Sequence, residues 1–521
     1  MRQDLEAEQI EDFIYRWHEL TFNDEVDQIR KKERLQRAID NYEAIRELAA
    51  NPLLLTMMAI LNRNQELPRD RAELYNQSSR VLLHQWDVER ALVEDKRLDP
   101  KTIDYKDKQA MLRQVAYLMQ TSDKGLAGNL IKESDLEKVL TDYFKIIEFD
   151  KARVAAKLMI NQLRSRNFML CYLGADYYAF VHRTFLEYFC ACEYVWQFKE
   201  TQILTIEDLK TEVFGKHWVD ESWHEVLRLI AGMINSKFVG KIIEYLIEID
   251  GKKEDYLNFL IAAECFSEVR NRLELISIYR KLIDIPLQVS DNYHWGYDDL
   301  KETSLVGFKF RTSLGRFVSI IAKLWNDYPE TLQWLKNNIK LPANLDVTTE
   351  LDLQLGAEVR AASLQELGNG WKNDPDILAI LKACAQYEYK MVRCVAILEL
   401  ARNWKNDPDC LSIIKKCAKL DDNLFGDPWL VRDVALRALS EYWNDEPEIF
   451  EFLYECALFD PFDEYDNPKR YPNPRITALT AILNNYPEHP QTLPLLHDRA
   501  ENDPDEKLRE FAQSKLKELK N

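Results

Sequence analysis

Apolar residues recur at helical spacing through most of this chain. Ile10, Phe13, Ile14 and Trp17 fall on one stripe and predict a helix. Asn51 and Pro52 open the apolar run Leu53 to Leu61, with Asn51 suited to cap a helix and Pro52 to its first turn. Leu67-Pro68-Arg69-Asp70 breaks that run, and Leu74, Val81, Leu82 and Trp86 predict a helix from Arg71 to Trp86. Further helices are predicted around Met111–Met119 and Ala152–Leu163. The spacing then changes. Phe168 to Val181 is rich in aromatic and β-forming residues around Gly174-Ala175-Asp176, which predicts a hairpin. Helical spacing resumes from Arg183 to Phe198, so helices followed by a β wing predict a winged-helix domain. Trp223 to Ile234 and Ile242 to Ile249 predict two more helices. Ile285 to Gly307 mixes proline, glycine, serine and aspartate and is the expected domain boundary.

Beyond that boundary one pattern repeats. Trp325, Trp371, Trp404, Trp443 and Tyr486 mark five copies, and four residues after each stands Pro329, Pro375, Pro408, Pro447 or Pro490. Eleven residues before the last four markers stand Arg360, Arg393, Arg432 and Arg475, with Leu314 in the degenerate first copy. Small residues (Ser363, Ala396, Ala435, Ala478) and then Leu367, Leu400, Leu439 and Ile482 follow at fixed offsets. A second helix carries Leu335, Leu381, Ile414, Leu453 and Leu496 at another, and Cys384, Cys417 and Cys456 at a third. A period of 33 to 46 residues predicts an α-solenoid of two-helix repeats, with the tryptophan closing the first helix and Asp374 and Asp407 capping the second. Leu508, Arg509 and Ala512 begin a polar cap. Solenoids present long surfaces, so protein partners are expected before chemistry.

At 521 residues the chain has room for roughly three or four domains. Its 14 glycines are few, which fits helices joined by short links. The net charge of −19 disfavours nucleic acid and anionic membrane as partners. Leu53–Leu61 is too short to span a bilayer and no apolar signal core opens the chain, so a cytoplasmic location is expected. Nine cysteines include no CxxC pair and read as core thiols.

No catalytic constellation emerges. His217 and His224 with Glu221 and Glu225 lack the HExxH spacing and read as a helix face, not a metal site. Asp421 to Gly426 resembles the first half of a calcium loop, but Arg432 occupies the twelfth position, where a glutamate is needed. GxSxG is absent. The connections between repeats say more. Eight residues separate Ala385 from the next repeat arginine, but fourteen follow Ala418 and eighteen follow Ala457. The two long connections hold Asp421, Asp422, Phe425 and Trp429, and Phe462, Asp463, Tyr465 and Asp466. Rings amid acids suit a basic protein partner, and these eight are the partner-binding candidates.

Two segments carry a resemblance. Asn51-Pro-Leu-Leu-Leu-Thr56, with Leu67-Pro-Arg-Asp-Arg-Ala-Glu-Leu-Tyr75 and Trp86-Asp87, resembles the helical segment after the nucleotide-binding core of NACHT-family (STAND) signalling NTPases. Phe180-Val-His-Arg-Thr-Phe-Leu-Glu-Tyr-Phe189 resembles the motif that ends that family's winged-helix domain. Trp218 to Gly232 and the repeats resemble the HEAT-like sensor arms of bacterial NACHT proteins, which serve signal transduction and defence. The resemblance implies that Pro52 packs on an adenine ring and that His182 donates a hydrogen bond to a phosphate of ADP. One departure dominates. Lysine follows glycine at Gly215, Gly240 and Gly251, and none of these continues as GxxxxGK[ST]. The chain is therefore expected to begin where the family's ATPase core ends, and to meet ADP or ATP only beside a P-loop domain.

These readings predict a mostly all-α chain: a helical domain (1–100), a winged-helix domain with a small β wing (101–200), a helical linker domain (201–300) and a HEAT-like solenoid (301–521). The expected function is a non-catalytic regulatory and sensor module of a NACHT-type system, with no cofactor or metal of its own. Its expected partners are proteins, including a NACHT nucleotide-binding domain in trans. A freestanding HEAT scaffold and a HEAT-like chromophore lyase are the rival readings.

Overall fold

The computed structural model describes residues 5–85, 103–122, 129–254, 256–283, 313–340, 357–387, 389–419, 428–460 and 473–519. The chain forms two compact units, Met1–Tyr279 and Arg280–Asn521. The expected boundary at Ile285–Gly307 lies outside the described residues.

The first unit opens with helices Ala7–Thr21, Glu25–Asn41, Glu43–Ala49 and Pro52–Asn62. Asn51 Oδ1 accepts the Leu53 and Leu54 amides at 3.0 and 3.3 Å, and Pro52 starts the helix where no amide is needed. The helix expected from Arg71 to Trp86 divides. An α-helix covers Arg71–Arg80 and a π-helical turn covers Val81–Gln85, with Val81, Leu82 and Leu83 all buried. Trp86 lies outside the described residues.

A winged-helix order follows: helix Tyr105–Thr121, strand β1 (Ile131–Lys132), helices Glu133–Ile146 and Ala152–Ser165, strands β2 (Leu170–Gly174) and β3 (Tyr177–Phe180), then helix Arg183–Lys199. The sheet is antiparallel in the order β1-β3-β2, with Ile131 opposite Tyr178 and Leu170 opposite Phe180. Gly174, Ala175 and Asp176 take φ of 94°, 49° and 60°, and this left-handed turn joins the hairpin. Helices Glu221–Met233, Ser236–Glu248 and Leu257–Ser267 come next.

The second unit is a series of solenoid-like helical repeats. First helices run Ser313–Leu324, Ala357–Gly370, Lys390–Asn403, Pro428–Tyr442 and Pro474–Asn485. Their partners are Pro329–Ile339, Pro375–Tyr387, Cys410–Lys419, Pro447–Phe459 and Thr492–Asn502, and Glu506–Glu518 follows. The copies share one turn. The amides of Trp371, Trp404, Trp443 and Tyr486 donate to Leu367, Leu400, Leu439 and Ile482 carbonyls at 2.9–3.0 Å, so each marker closes its helix. Trp325 and Trp443 are buried; Trp371, Trp404 and Tyr486 are half-buried. Asp374 and Asp407 accept the amides of Asp376 and Asp409 at 3.0 and 3.1 Å across the following proline. The repeat small residues, leucines and cysteines are buried. The repeat arginines are buried too, and three of them find oxygen at a helix C-terminal end. Arg393 Nε donates to the Ala385 carbonyl (3.2 Å), Arg432 Nη2 to Asp460 (2.7 Å) and Arg475 Nη1 to the Asp460 carbonyl (3.1 Å).

Candidate functional site at the winged-helix junction

The segment Phe180–Phe189 is mostly core. Phe180, Phe185, Leu186, Tyr188 and Phe189 are buried. Tyr75, from helix Arg71–Arg80, stacks on Tyr188 at 5.4 Å and meets Phe185 edge-on at 6.1 Å. Arg183, itself half-buried, donates to Glu187 (2.7 Å) and to the Ser222 carbonyl (3.1 Å). What the segment leaves at the surface is Val181, 45 % exposed, and the half-buried His182. His182 lies two residues past strand β3, at the N-cap of helix Arg183–Lys199, in extended backbone (φ −128°, ψ 130°), and its carbonyl accepts the Phe185 amide at 3.1 Å. The wing itself exposes Phe168, Tyr172 and Leu173.

Pro52 is exposed at the start of its helix. Pro52 opens its own helix, and His182 stands at the start of another, helix Arg183–Lys199. Of the partner-binding candidates, Asp421, Asp422, Phe425, Phe462, Asp463, Tyr465 and Asp466 lie outside the described residues. Trp429 is described. Its ring lies against its own repeat, with the Arg432 guanidinium 4.3 Å from the ring centre. Phe459, at the end of helix Pro447–Phe459, is 76 % exposed and was no candidate. Its neighbours in sequence are apolar and acidic alike, so periodicity gives no signal there.

Sequence reasoning also missed a buried ionic cluster behind the junction. Arg71 stands in the first helical position after Asp70, whose carboxylate caps the helix through the Glu73 amide at 2.9 Å. Its guanidinium meets Glu225 (3.0 Å), Glu268 (3.2 Å) and Glu47. Arg228 meets Glu268 (2.9 Å) and Glu47 (3.0 Å). Helices Glu43–Ala49, Arg71–Arg80, Glu221–Met233 and Leu257–Ser267 are thereby tied at one point, with Glu268 just past the last. Burial alone would lower the Arg71 pKa, but Glu225, Glu268 and Glu47 outweigh it and hold it above its ordinary value. Burial pushes Glu47 up, and Arg228 and Arg71 more than reverse that, so its carboxyl is held below its ordinary value.

Three of the four residues considered for a metal are engaged elsewhere. His217 stacks on Trp223 at 3.7 Å, His224 Nε2 lies 2.9 Å from the Trp218 carbonyl, and Glu225 belongs to the cluster. His18 was not anticipated. It is buried, with Nδ1 2.7 Å from the Ile14 carbonyl, and burial lowers its pKa. Among the described residues no helix is long and apolar enough to cross a membrane.

No curated protein matches the chain. Residues 71–194 match the family of the winged helix-turn-helix domain C-terminal to NACHT, which is not a catalytic core. That match begins at Arg71, takes in the strands and ends within helix Arg183–Lys199, so this stretch of the chain is similar to NACHT-associated winged-helix domains.

Proposed function

We propose that the chain is a non-catalytic regulatory and sensor module of a NACHT-type signalling NTPase. The observation that carries this is the winged-helix segment itself. Its aromatic residues are spent on the core, and it leaves Val181 and His182 at the surface near an apolar wing. In this reading the wing face docks on a nucleotide-binding domain, supplied by another chain or by further sequence. His182 then donates to a phosphate of bound ADP, and Pro52 lies against the adenine. The HEAT-like arm binds protein partners through its repeat edges, in the cytoplasm. Binding there shifts an open–closed equilibrium to the extent that the partner prefers one state.

The test joins the purified chain to a NACHT nucleotide-binding domain from the same genome and measures ADP retention. The complex is expected to hold ADP roughly tenfold longer than that domain alone, as one charge-assisted hydrogen bond warrants. His182→Ala removes that gain, whereas Leu173→Asp abolishes the docking. Steady ATP turnover by the chain alone overturns the non-catalytic reading.

A further inference from the structure

A helix-turn-helix pair presents its second helix to the major groove of a duplex. In this chain that helix is Ala152–Ser165. Residues 151–166 carry Lys151, Arg153, Lys157, Arg164 and Arg166 and no acid, within a chain of net charge −19. Ala155, Ala156, Met159, Ile160 and Leu163 are buried on one side of the helix. Arg153, Lys157, Asn161 and Arg164 follow one another on the exposed side at intervals of four, four and three residues. They form a single stripe about 17 Å long, which fits a groove some 12 Å wide. Asn161 lies mid-stripe, and asparagine pairs in two-pronged fashion with an adenine edge. Arg164 Nη2 donates to Asn161 Oδ1 at 3.3 Å, so the amide is already oriented.

Glu137, from helix Glu133–Ile146, pairs with Arg153 and with Lys157 (3.7 Å). Both cations are well exposed, at 76 % and 60 %. Such surface pairs are weak and are readily exchanged for phosphates. The charge of the whole chain argues against nucleic acid. However, charges more than about 8 Å away are largely screened at physiological salt, so the local cations dominate at contact.

We propose that helix Ala152–Ser165 binds duplex nucleic acid, with Arg153, Lys157 and Arg164 on phosphates and Asn161 at a base edge. The helix-turn-helix order and the central asparagine favour a duplex over an acidic protein. The proposal uses residues other than those of the docking reading, and its failure leaves that reading standing.

The test is fluorescence anisotropy of the full chain with a labelled 20-base-pair duplex. Raising salt from 50 to 200 mM is expected to weaken binding roughly 50-fold, as about three phosphate contacts require. The triple variant Arg153→Ala, Lys157→Ala, Arg164→Ala is expected to bind at least tenfold more weakly with an unchanged melting curve, because its side chains are exposed. Lys515→Ala with Lys517→Ala, in the last helix, is the control and binds as the parent does. Absence of binding at 50 mM salt, or equal binding by the triple variant, overturns the proposal. So does polyglutamate of matched charge that displaces the duplex as well as unlabelled duplex does.

Discussion

The two units hold their charges in opposite ways. In Met1–Tyr279 five ion pairs join in one unrepeated cluster, with Arg71 and Arg228 against Glu47, Glu225 and Glu268, beside scattered pairs such as Arg153–Glu137 and Arg183–Glu187. In Arg280–Asn521 one kind of pair recurs. Lys336 meets Asp374 and Asp376, Lys382 meets Asp407 and Asp409, and Lys415 meets Glu448. Each lysine stands seven residues after a repeat proline, and its acids flank the next one. The first arrangement concentrates cohesion at a point that four helices share. The second distributes it, so that the loss of one rung leaves the others in place. A region that must move as a whole is served by the first, and an extendable arm by the second.

The largest effect should come from breaking the cluster. Arg71 is 4 % exposed, and its removal takes from Glu225 its ion-pair partner and leaves Glu268 with Arg228 alone. Arg71→Ala is expected to destabilise the first unit by about 4 kcal/mol, the usual cost of an orphaned buried charge. Hydrogen exchange should rise together in helices Glu43–Ala49, Arg71–Arg80, Glu221–Met233 and Leu257–Ser267, while the repeats exchange as before. If only the Arg71 helix responds, the cluster does not unite the four, and the contrast between the units falls.

The same contrast governs what was legible beforehand. Repeat positions appear several times, so a chance match at one copy is corrected by the others. Leu367, Leu400, Leu439 and Ile482 are read at one offset and are all buried. The lysine rungs were equally periodic, but charged residues on a helix read as solvated face, and no pattern told which acid each would meet. Nothing in the first unit repeats. Arg71 and Glu268 are 197 residues apart, and no local signal joins them. Strand β1, with two residues, is too short to show alternation, and the helix after it begins directly at Glu133. The hairpin was legible because Gly174-Ala175-Asp176 has the chemistry of a left-handed turn. The exposure of Phe168, Tyr172 and Leu173 was not, since exposure depends on what the rest of the fold covers.

A second, smaller effect distinguishes the units by pH. Glu399 is buried in helix Lys390–Asn403, and Asn403 and Arg402 touch its carboxylate at 2.9 and 3.1 Å. Burial pushes its pKa up to about 7; Arg402 pulls it back, and Glu366 on the preceding first helix adds to the rise. A raised carboxyl pKa means that the folded form binds the proton more tightly than the unfolded form. Its contribution is therefore full below the unfolded value near 4.5 and is lost as pH rises towards 7. The repeats around Glu399 should lose up to about 3 kcal/mol between pH 4.5 and 7.5 on this account. Glu399→Gln carries the neutral shape at every pH. It should match the parent at pH 5 and exceed it at pH 8, as read by exchange of the Lys390–Asn403 amides. The first unit should change in the other direction, because Glu47 is held low and its contribution is lost as pH falls. Parallel pH responses in the two units would contradict the comparison.

The smallest effect tests the ladder. Lys382 lies 2.6 Å from Asp407 and 2.8 Å from Asp409, and both aspartates also serve the turn that opens the next second helix. The rung is solvent-accessible, so Lys382→Ala should cost only about 0.5 kcal/mol, and that loss should vanish in 1 M salt. Removing Lys336, Lys382 and Lys415 together is expected to add the single losses, about 1.5 kcal/mol, because each rung joins a different pair of repeats. The arm's urea midpoint at low salt is the measurement. A triple loss far above the sum would mean that the rungs act as one. The repeats would then share the all-or-none character of the Arg71 cluster, and the units would differ in sequence pattern without differing in how cohesion is spread.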